Sequence, residues 1–390
     1  MISSTVGENA IEPYFIVFSD DWGVHPSSCQ HLFRQVAASH RVLWVNTIGM
    51  RNPTLSWTDA KKAMMKVSRM LRRARSSGEG SSTNPKVDVC QPAMLPFSSL
   101  SLVRYFNRHS VVTAVRGRTR ALGMDRPVIV STVPNACDYI ESLDRSYVVY
   151  YCVDDFTQWP GLQHDLVREM EGRLVAQADL LVATSEQLYR RLVATGKPSH
   201  LLSHGVDLDL FGQPAQEEHP CLAGVARPRA GYFGLFDERS DQRLLAALAA
   251  RMKDFSFVLT GPVAVNVAGL AANPNIRFTG AVNYEELPKV IAGLDVLILP
   301  YVVNDFTATI SPLKLKEYLV TGRPVVSTPI AEAKALREHV MIAGTLDDWI
   351  MALRSALAED TVGRRRRMLG LLRDDTWAAK AETFISFCSC

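Results

Sequence analysis

The chain has 390 residues, 47% hydrophobic and 21% charged, which excludes wholesale disorder, and its 23 Gly and 20 Pro exclude a collagenous or low-complexity chain. Lys and Arg (43) nearly balance Asp and Glu (40), so a formal net charge of +3 gives no general argument for nucleic-acid binding. The length suits two domains, each with a substantial core. The cysteines Cys29, Cys90, Cys137, Cys152, Cys221, Cys388 and Cys390 are odd in number and contain no C-x-x-C pair. That pattern fits reduced thiols in a cytosolic protein better than a disulfide framework or a structural zinc site. The first residues lack a basic stretch followed by an apolar run, and Val290 to Val303 is interrupted by Asp295 and Pro300. The expectation is a cytoplasmic protein, at most peripheral on the inner face of a membrane.

In chain order, the first half offers short apolar runs at Tyr14–Phe18, Arg41–Val45, Val87–Cys90, Val128–Ser131, Tyr147–Val153, Leu180–Thr184 and His200–Ser203. Most are continuous rather than alternating, as strands buried on both faces are. Helical stretches such as Cys29–Ser39 and Leu162–Ala178 separate them, which predicts a doubly wound α/β domain. The Gly-, Pro- and charge-rich stretch from Gly212 to Arg229 reads as a linker. The alternation then restarts at Ala230–Phe233, Phe255–Leu259, Ile276–Thr279, Val296–Leu299 and Val325–Ser327. The predicted division is a first domain over 1–215, a second over 216–375, and a helix over 376–390 that returns to the first.

The most informative segment is Ser311 to Val326, SPLKLKEYLVTGRPVV. Ser311 is a good N-cap, Pro312 suits the first helical position, and Thr321-Gly322 end the helix. A helix N-terminus is thus expected just beyond the strand Val296–Leu299, where open α/β sheets bind ligands and where free N–H groups favour an anion. Lys314 in the first turn is unfavourable for the helix itself and makes sense beside a bound anion. Glu317 lies one turn on, roughly 9 Å from the cap at 1.5 Å per residue, a span that suits phosphates at the helix start and a ribose diol at the carboxylate. An ordinary Lys–Glu pair on a capped helix fits the spacing equally.

The segment SPLKLKEYLVTGRPVVSTP resembles the donor-binding segment of GT-B glycosyltransferases, the retaining family 4-like (group 1) bacterial polysaccharide enzymes. The resemblance continues through GYFG (231–234), FVLTGP (257–262), NIRFTG (275–280) with Glu286-Leu287-Pro288, and LDVLILP (294–300). It is weaker at Asp154-Asp155, Ala178-Asp179 and Ser203 to Asp207, and spans about Tyr14 to Trp377. It implies a GT-B fold of two Rossmann-like domains facing a cleft, and sugar transfer from a UDP- or GDP-sugar to an acceptor hydroxyl with retention. It implies donor contacts at Gly234, Gly261, Pro262, Val282, Tyr301, Thr309, Ile310, Ser311, Leu313, Lys314 and Glu317, with Glu317 on the ribose. No cofactor and no catalytic metal are expected, the nucleotide sugar being a co-substrate. The wider family often places a second glutamate, which contacts the sugar, before the one matching Glu317; here Thr309 stands there. That departure keeps open a noncatalytic scaffold, or another GT-B activity such as a nucleotide-sugar epimerase.

In the first domain, Asp20, Asp21 and His25 follow the first strand and are candidates for acceptor binding or general-base work, against a reading as turn and cap residues. Asp154 or Asp155 is a further cleft candidate, Asp155 being the one carried forward, and side by side the two make a poor chelate. His204-Gly205-Val206-Asp207 reads chiefly as hinge packing. Residues 61–75 hold seven Lys or Arg and no acid. On a helical wheel Lys61, Lys62, Lys66, Arg69, Arg72, Arg73 and Arg75 fall on one side, with Ala63, Met64, Val67, Met70, Leu71 and Ala74 on the other and Met65 the exception. Such a helix suits an anionic membrane surface, or a solvated face on the first domain. The partners expected are therefore a nucleotide-sugar donor, a saccharide or lipid-linked acceptor and an anionic membrane surface, with no nucleic acid.

Overall fold

The computed structural model describes residues 14–24, 27–47, 86–96 and 98–388. His25 and the basic stretch 61–75 lie outside them. The first domain holds strands β1 (Phe15–Ser19), β2 (Val42–Asn46), β3 (Val87–Cys90), β4 (Val128–Ser131), β5 (Tyr147–Cys152), β6 (Leu180–Ala183) and β7 (Ser199–Leu201). All pair in parallel, in the order β3-β2-β1-β4-β5-β6-β7. The second holds β8 (Arg229–Phe233), β9 (Ser256–Thr260), β10 (Ile276–Gly280), β11 (Val296–Leu299), β12 (Val325–Ser327) and β13 (Met341–Ile342), in the parallel order β10-β9-β8-β11-β12-β13. The continuous apolar runs are explained by this topology, since β1, β2 and β4 are buried along their whole length. Each sheet reverses its strand order once, between β1 and β4 and between β8 and β11. Those reversals open a crevice at the carboxyl edge.

The two carboxyl edges face one another. Ser185, just beyond β6, donates its Oγ to the Thr309 carbonyl at 2.8 Å. The rings of Trp159, after β5, and Phe306, after β11, meet edge-on at 5.8 Å. His31 of the helix Ser28–Ser39 lies 5.2 Å from the ring of Tyr284.

The chain crosses between domains twice, side by side. The Val206 N–H donates to the Asp375 carbonyl at 2.9 Å, and Val206 pairs with Thr376. A Cβ on Gly205 would stand 2.8 Å from Trp377, so this crossing tolerates no side chain there. The helix Trp377–Cys388 then returns to the first sheet with Trp377, Ala381, Phe384 and Cys388 buried on one face. Phe384 is packed by Phe15, Phe33 and Tyr151 at 6.4, 5.6 and 5.9 Å between ring centroids.

The stretch Gly212 to Arg229, expected as a linker, is part of the second domain. Leu222 is buried in its core, Glu218 bonds both Arg227 and Arg229, and Val206 and Phe211 already belong to that core. Its few apolar residues hid this, because ion pairs and backbone bonds do the holding. Among the described residues six cysteines are free, and no helix is long and apolar enough to cross a membrane.

Phe384→Ala removes the residue that seats the returning helix, so a loss of about 3–5 kcal/mol is expected in urea unfolding of the first domain. An unchanged midpoint would show that the helix is not needed for that domain.

Candidate active site

The helix Leu313–Val320 starts directly beyond the loop that follows β11. Its cap position is Pro312, at φ −70° and ψ 117°, with no side-chain cap bond. Ser311, expected to cap, is one residue too early for that task. It sits instead beside His204 and Glu332, and its neighbourhood bears on the charge of both. The first-turn N–H groups of this helix are therefore left without a side-chain acceptor, the arrangement that receives an anion.

Lys314 turns inward rather than to solvent. Its Nζ donates to the hydroxyls of Tyr232 at 2.6 Å and Tyr301 at 3.1 Å, and lies 4.1 Å above the Tyr232 ring. It has no carboxylate partner among the described residues. Burial lowers its pKa, with the Tyr301 phenol opposing and Arg239 adding to the shift. Burial would raise the Tyr301 phenol, yet Lys314 and Arg239 together bring it below its ordinary value. The space for Lys314 exists because Gly234 has no side chain: a Cβ there would stand 2.8 Å from Nζ, and its φ of +117° suits glycine. Gly261, at φ +137°, lets its loop close onto the Gly234 carbonyl, which a Cβ would meet at 2.1 Å.

Arg239 reaches the same point from the loop after β8. Asp237 holds it in a fork, Nε to Oδ1 at 2.9 Å and Nη2 to Oδ2 at 2.6 Å, and its guanidinium carbon is 5.9 Å from the Tyr301 ring centroid. Arg239 thus has a carboxylate and Lys314 beside it has only phenols, in a partly buried place. A desolvated cation without a counter-charge is costly, and a bound anion removes that cost.

Glu317 is buried one turn further. Its Oε1 accepts from the Tyr284 hydroxyl at 2.8 Å. Burial pushes its carboxyl up to about 7, against the Tyr284 bond and the Lys314 charge, which lower it. On the helix's other side Lys316 is tied to Ser203 Oγ, the His204 carbonyl and Asp375 Oδ2 at 3.2, 2.7 and 2.8 Å. The helix is so fastened to the interdomain crossing.

The remaining expected contacts sit around this centre. The Pro262 carbonyl accepts from the Phe236 N–H at 2.9 Å, Val282 packs on the second core, and Ile310 is buried. Leu313 packs against the first domain's core, and the Thr309 carbonyl takes the Ser185 bond.

The first-domain candidates are placed differently from expectation. Asp20 is accessible in the cleft, but its carboxylate is committed to Ser19 Oγ, Ser27 Oγ and Gln30 Nε2 at 2.8, 3.0 and 2.8 Å. It stitches the loop after β1 to the helix Ser28–Ser39, with Oδ1 taking two of these bonds and Oδ2 one. Asp21 lends its carbonyl to Gln30 in the same knot. Asp155 caps the short turn Phe156–Gln158, accepting from the Thr157 N–H and Oγ1 at 3.0 and 2.5 Å, with Arg191 at 3.8 Å. Its neighbour Asp154 is the one turned to the second domain. Burial pushes Asp154 up to about 6, with Arg239 lowering it and Asp155 and Asp237 raising it.

Sequence reasoning missed Arg239, Tyr232 and Tyr284, and left the choice between Asp154 and Asp155 open. The Asp237-Glu238-Arg239 turn five residues past a strand-end glycine was a usable signal for Arg239. Nothing local marks Tyr284, whose partner lies 33 residues away.

Residues 227–359 match the family model of group 1 glycosyl transferases. The putative teichuronic acid biosynthesis glycosyltransferase TuaH of Bacillus subtilis (strain 168) is 26% identical over 182 residues. That match spans 44% of this chain and 46% of TuaH, less than half of either. Among solved structures, sucrose-phosphate synthase of Thermosynechococcus elongatus superposes with a TM-score of 0.70 at 16% identity, over 96% of this chain and 98% of its own. HepE of Anabaena, in complex with UDP and glucose, gives 0.64 at 14% identity, over 97% and 99%. The fold is GT-B, and the match to the group 1 glycosyl transferases lies in its second domain.

Lys314→Met tests the anion argument without any substrate. The ligand-free variant should be at least as thermally stable as the wild type, because a desolvated cation has gone, while stabilisation by nucleoside diphosphates disappears. A less stable variant that still responds to nucleotide would contradict it.

Proposed function

We propose that this protein moves a sugar from a UDP- or GDP-sugar to the hydroxyl of a saccharide or lipid-linked saccharide in cell-surface polysaccharide biosynthesis. The observation that carries this reading is Lys314, buried without a carboxylate beside an uncapped helix start, with Glu317 one turn on. The diphosphate lies against the first-turn N–H groups, Lys314 and Arg239, and the ribose diol donates to Glu317. The name of TuaH favours a polysaccharide acceptor, and the UDP in HepE favours that base.

In the reaction the bond between the anomeric carbon and the diphosphate oxygen breaks, and its electron pair goes to that oxygen. The helix N–H groups and the two cations take up the charge as it develops. They supply what a divalent ion supplies elsewhere, so chelation with EDTA is expected to leave turnover unchanged, and a loss of activity restored by one added metal would refute this. The acceptor oxygen bonds to the anomeric carbon and its proton passes to the leaving phosphate oxygen, which gives retention. Asp154 orients the acceptor from the first domain, and closure of the domains limits hydrolysis of the donor. The enzyme works in the cytoplasm, with residues 61–75 drawing it to the inner face of the membrane.

Binding of UDP by calorimetry, wild type against Glu317→Gln, tests the donor site. The Glu317 carboxyl is raised from 4.5 to about 7 by burial, and a ribose hydroxyl needs the ionised form as acceptor. Affinity should therefore rise with pH up to about 7, by as much as about tenfold per unit, and level off above; the variant should bind weakly with a flat profile. The same raised carboxyl favours the folded apoprotein below pH 4.5 and loses that contribution as pH climbs through about 7. Turnover that needs no acceptor would point to an epimerase. The scaffold reading, which Thr309 in place of a glutamate favours, predicts binding without turnover and function that survives Glu317→Ala.

A further inference from the structure

We infer that the helix Ser101–Leu122, with Leu95 and Leu100 before it, docks the first domain on an anionic lipid bilayer. Its inward seam is Asn107, Val111, Val112 and Val115. The opposite face begins with large apolar side chains left in water: Leu102 is 82% exposed, Tyr105 73%, and Phe106 46%. Leu100, 57% exposed, occupies the cap position and makes no side-chain cap bond. A helix start facing water ordinarily carries Ser, Thr, Asp or Asn there. Leu95, also exposed, is held to the same end by Asn107, whose amide bonds the Leu95 N–H and carbonyl at 2.7 and 2.9 Å. The result is one contiguous apolar tip rather than scattered exposed residues.

Charge selects the occupant. The 22 residues of this helix include five arginines and no Asp or Glu. Arg104 pairs with Asp138, while Arg108 and Arg116 bond the uncharged Ser142 and leave their charge uncompensated among the described residues. At 100° per residue Arg116 and Arg120 share the outward face with Leu102 and Tyr105. The helix dipole accounts for Arg120 near the C-terminal end but not for Leu102 or Tyr105 at the other. A second copy of the chain would bring the same arginines against these. Residues 61–75, with seven cations and no acid, would do likewise. An apolar tip flanked by unpaired arginines matches the acyl boundary and phosphate layer of an anionic leaflet.

The placement is also productive. The strand β3 ends at Cys90 on the carboxyl edge, so the tip lies on the side of the domain that carries the cleft. This deepens the reading of a lipid-linked acceptor and names the surface that brings the enzyme to it.

Vesicle flotation tests the inference without turnover. The vesicles are phosphatidylcholine alone and phosphatidylcholine with phosphatidylglycerol; the proteins are the wild type, Leu102→Ser/Tyr105→Ser and Arg116→Gln/Arg120→Gln. The wild type should float only with the anionic vesicles and be released by salt. Each double variant should bind about tenfold more weakly, from lost apolar area or lost charge. The thermal response to UDP should be unchanged in both, which shows them folded and separates failure here from failure of the donor reading. Wild-type protein that does not float, or a Leu102→Ser/Tyr105→Ser variant that floats equally well, overturns the proposal. So does self-association of the wild type that this variant abolishes without any flotation.

Discussion

A buried lysine that has only phenols for company sets the terms for the second domain. Lys314 is held by the hydroxyls of Tyr232 and Tyr301 and has no carboxylate partner among the described residues. Hydrogen bonds to neutral oxygens orient the ammonium without neutralising it, so the charge is preserved for something that arrives from outside. Several features are consequences of keeping it there. Gly234 must lack a side chain, Gly261 must fold its loop onto Gly234, and the helix Leu313–Val320 must begin without a side-chain cap. Arg239, already half-neutralised by Asp237, adds a second cation at the same point.

The same helix is the mechanical link between the domains. Three positions within one turn do three jobs: Lys314 faces the anion pocket, Lys316 grips the interdomain crossing through Ser203, His204 and Asp375, and Glu317 takes Tyr284. These face different directions around one turn, so a single short helix touches the pocket, the crossing and Tyr284 at once. Tyr284 extends this link, since its ring meets His31 of the first domain while its hydroxyl holds Glu317.

Much of the architecture was readable because a parallel sheet covered on both faces writes itself as continuous apolar runs. All twelve expected strands exist, and only the two-residue edge strand β13, partly exposed, left too short a trace. The helix that carries the site was readable from Pro312 and Gly322, and the second-domain resemblance from SPLKLKEYLVTGRP. The first-domain candidates fared less well. Asp20 and Asp155 have the residue type and the strand-end position of functional acids, but such positions also need capping and stitching, and each carboxylate is engaged in one of those tasks.

Sequence alone determined the elements, their α/β alternation, and the presence of a lysine and a glutamate one turn apart beside a helix start. These are properties of local pattern, where spacing of three or four residues fixes which side chains share a face. Tertiary structure decided what those side chains mean. That Lys314 is buried, that Arg239 joins it from another loop, that Asp154 rather than Asp155 turns to the cleft, and that Leu102 and Tyr105 stay in water all depend on contacts between distant segments. Burial and electrostatic environment are set by everything that packs around a group, and no window of sequence contains that neighbourhood.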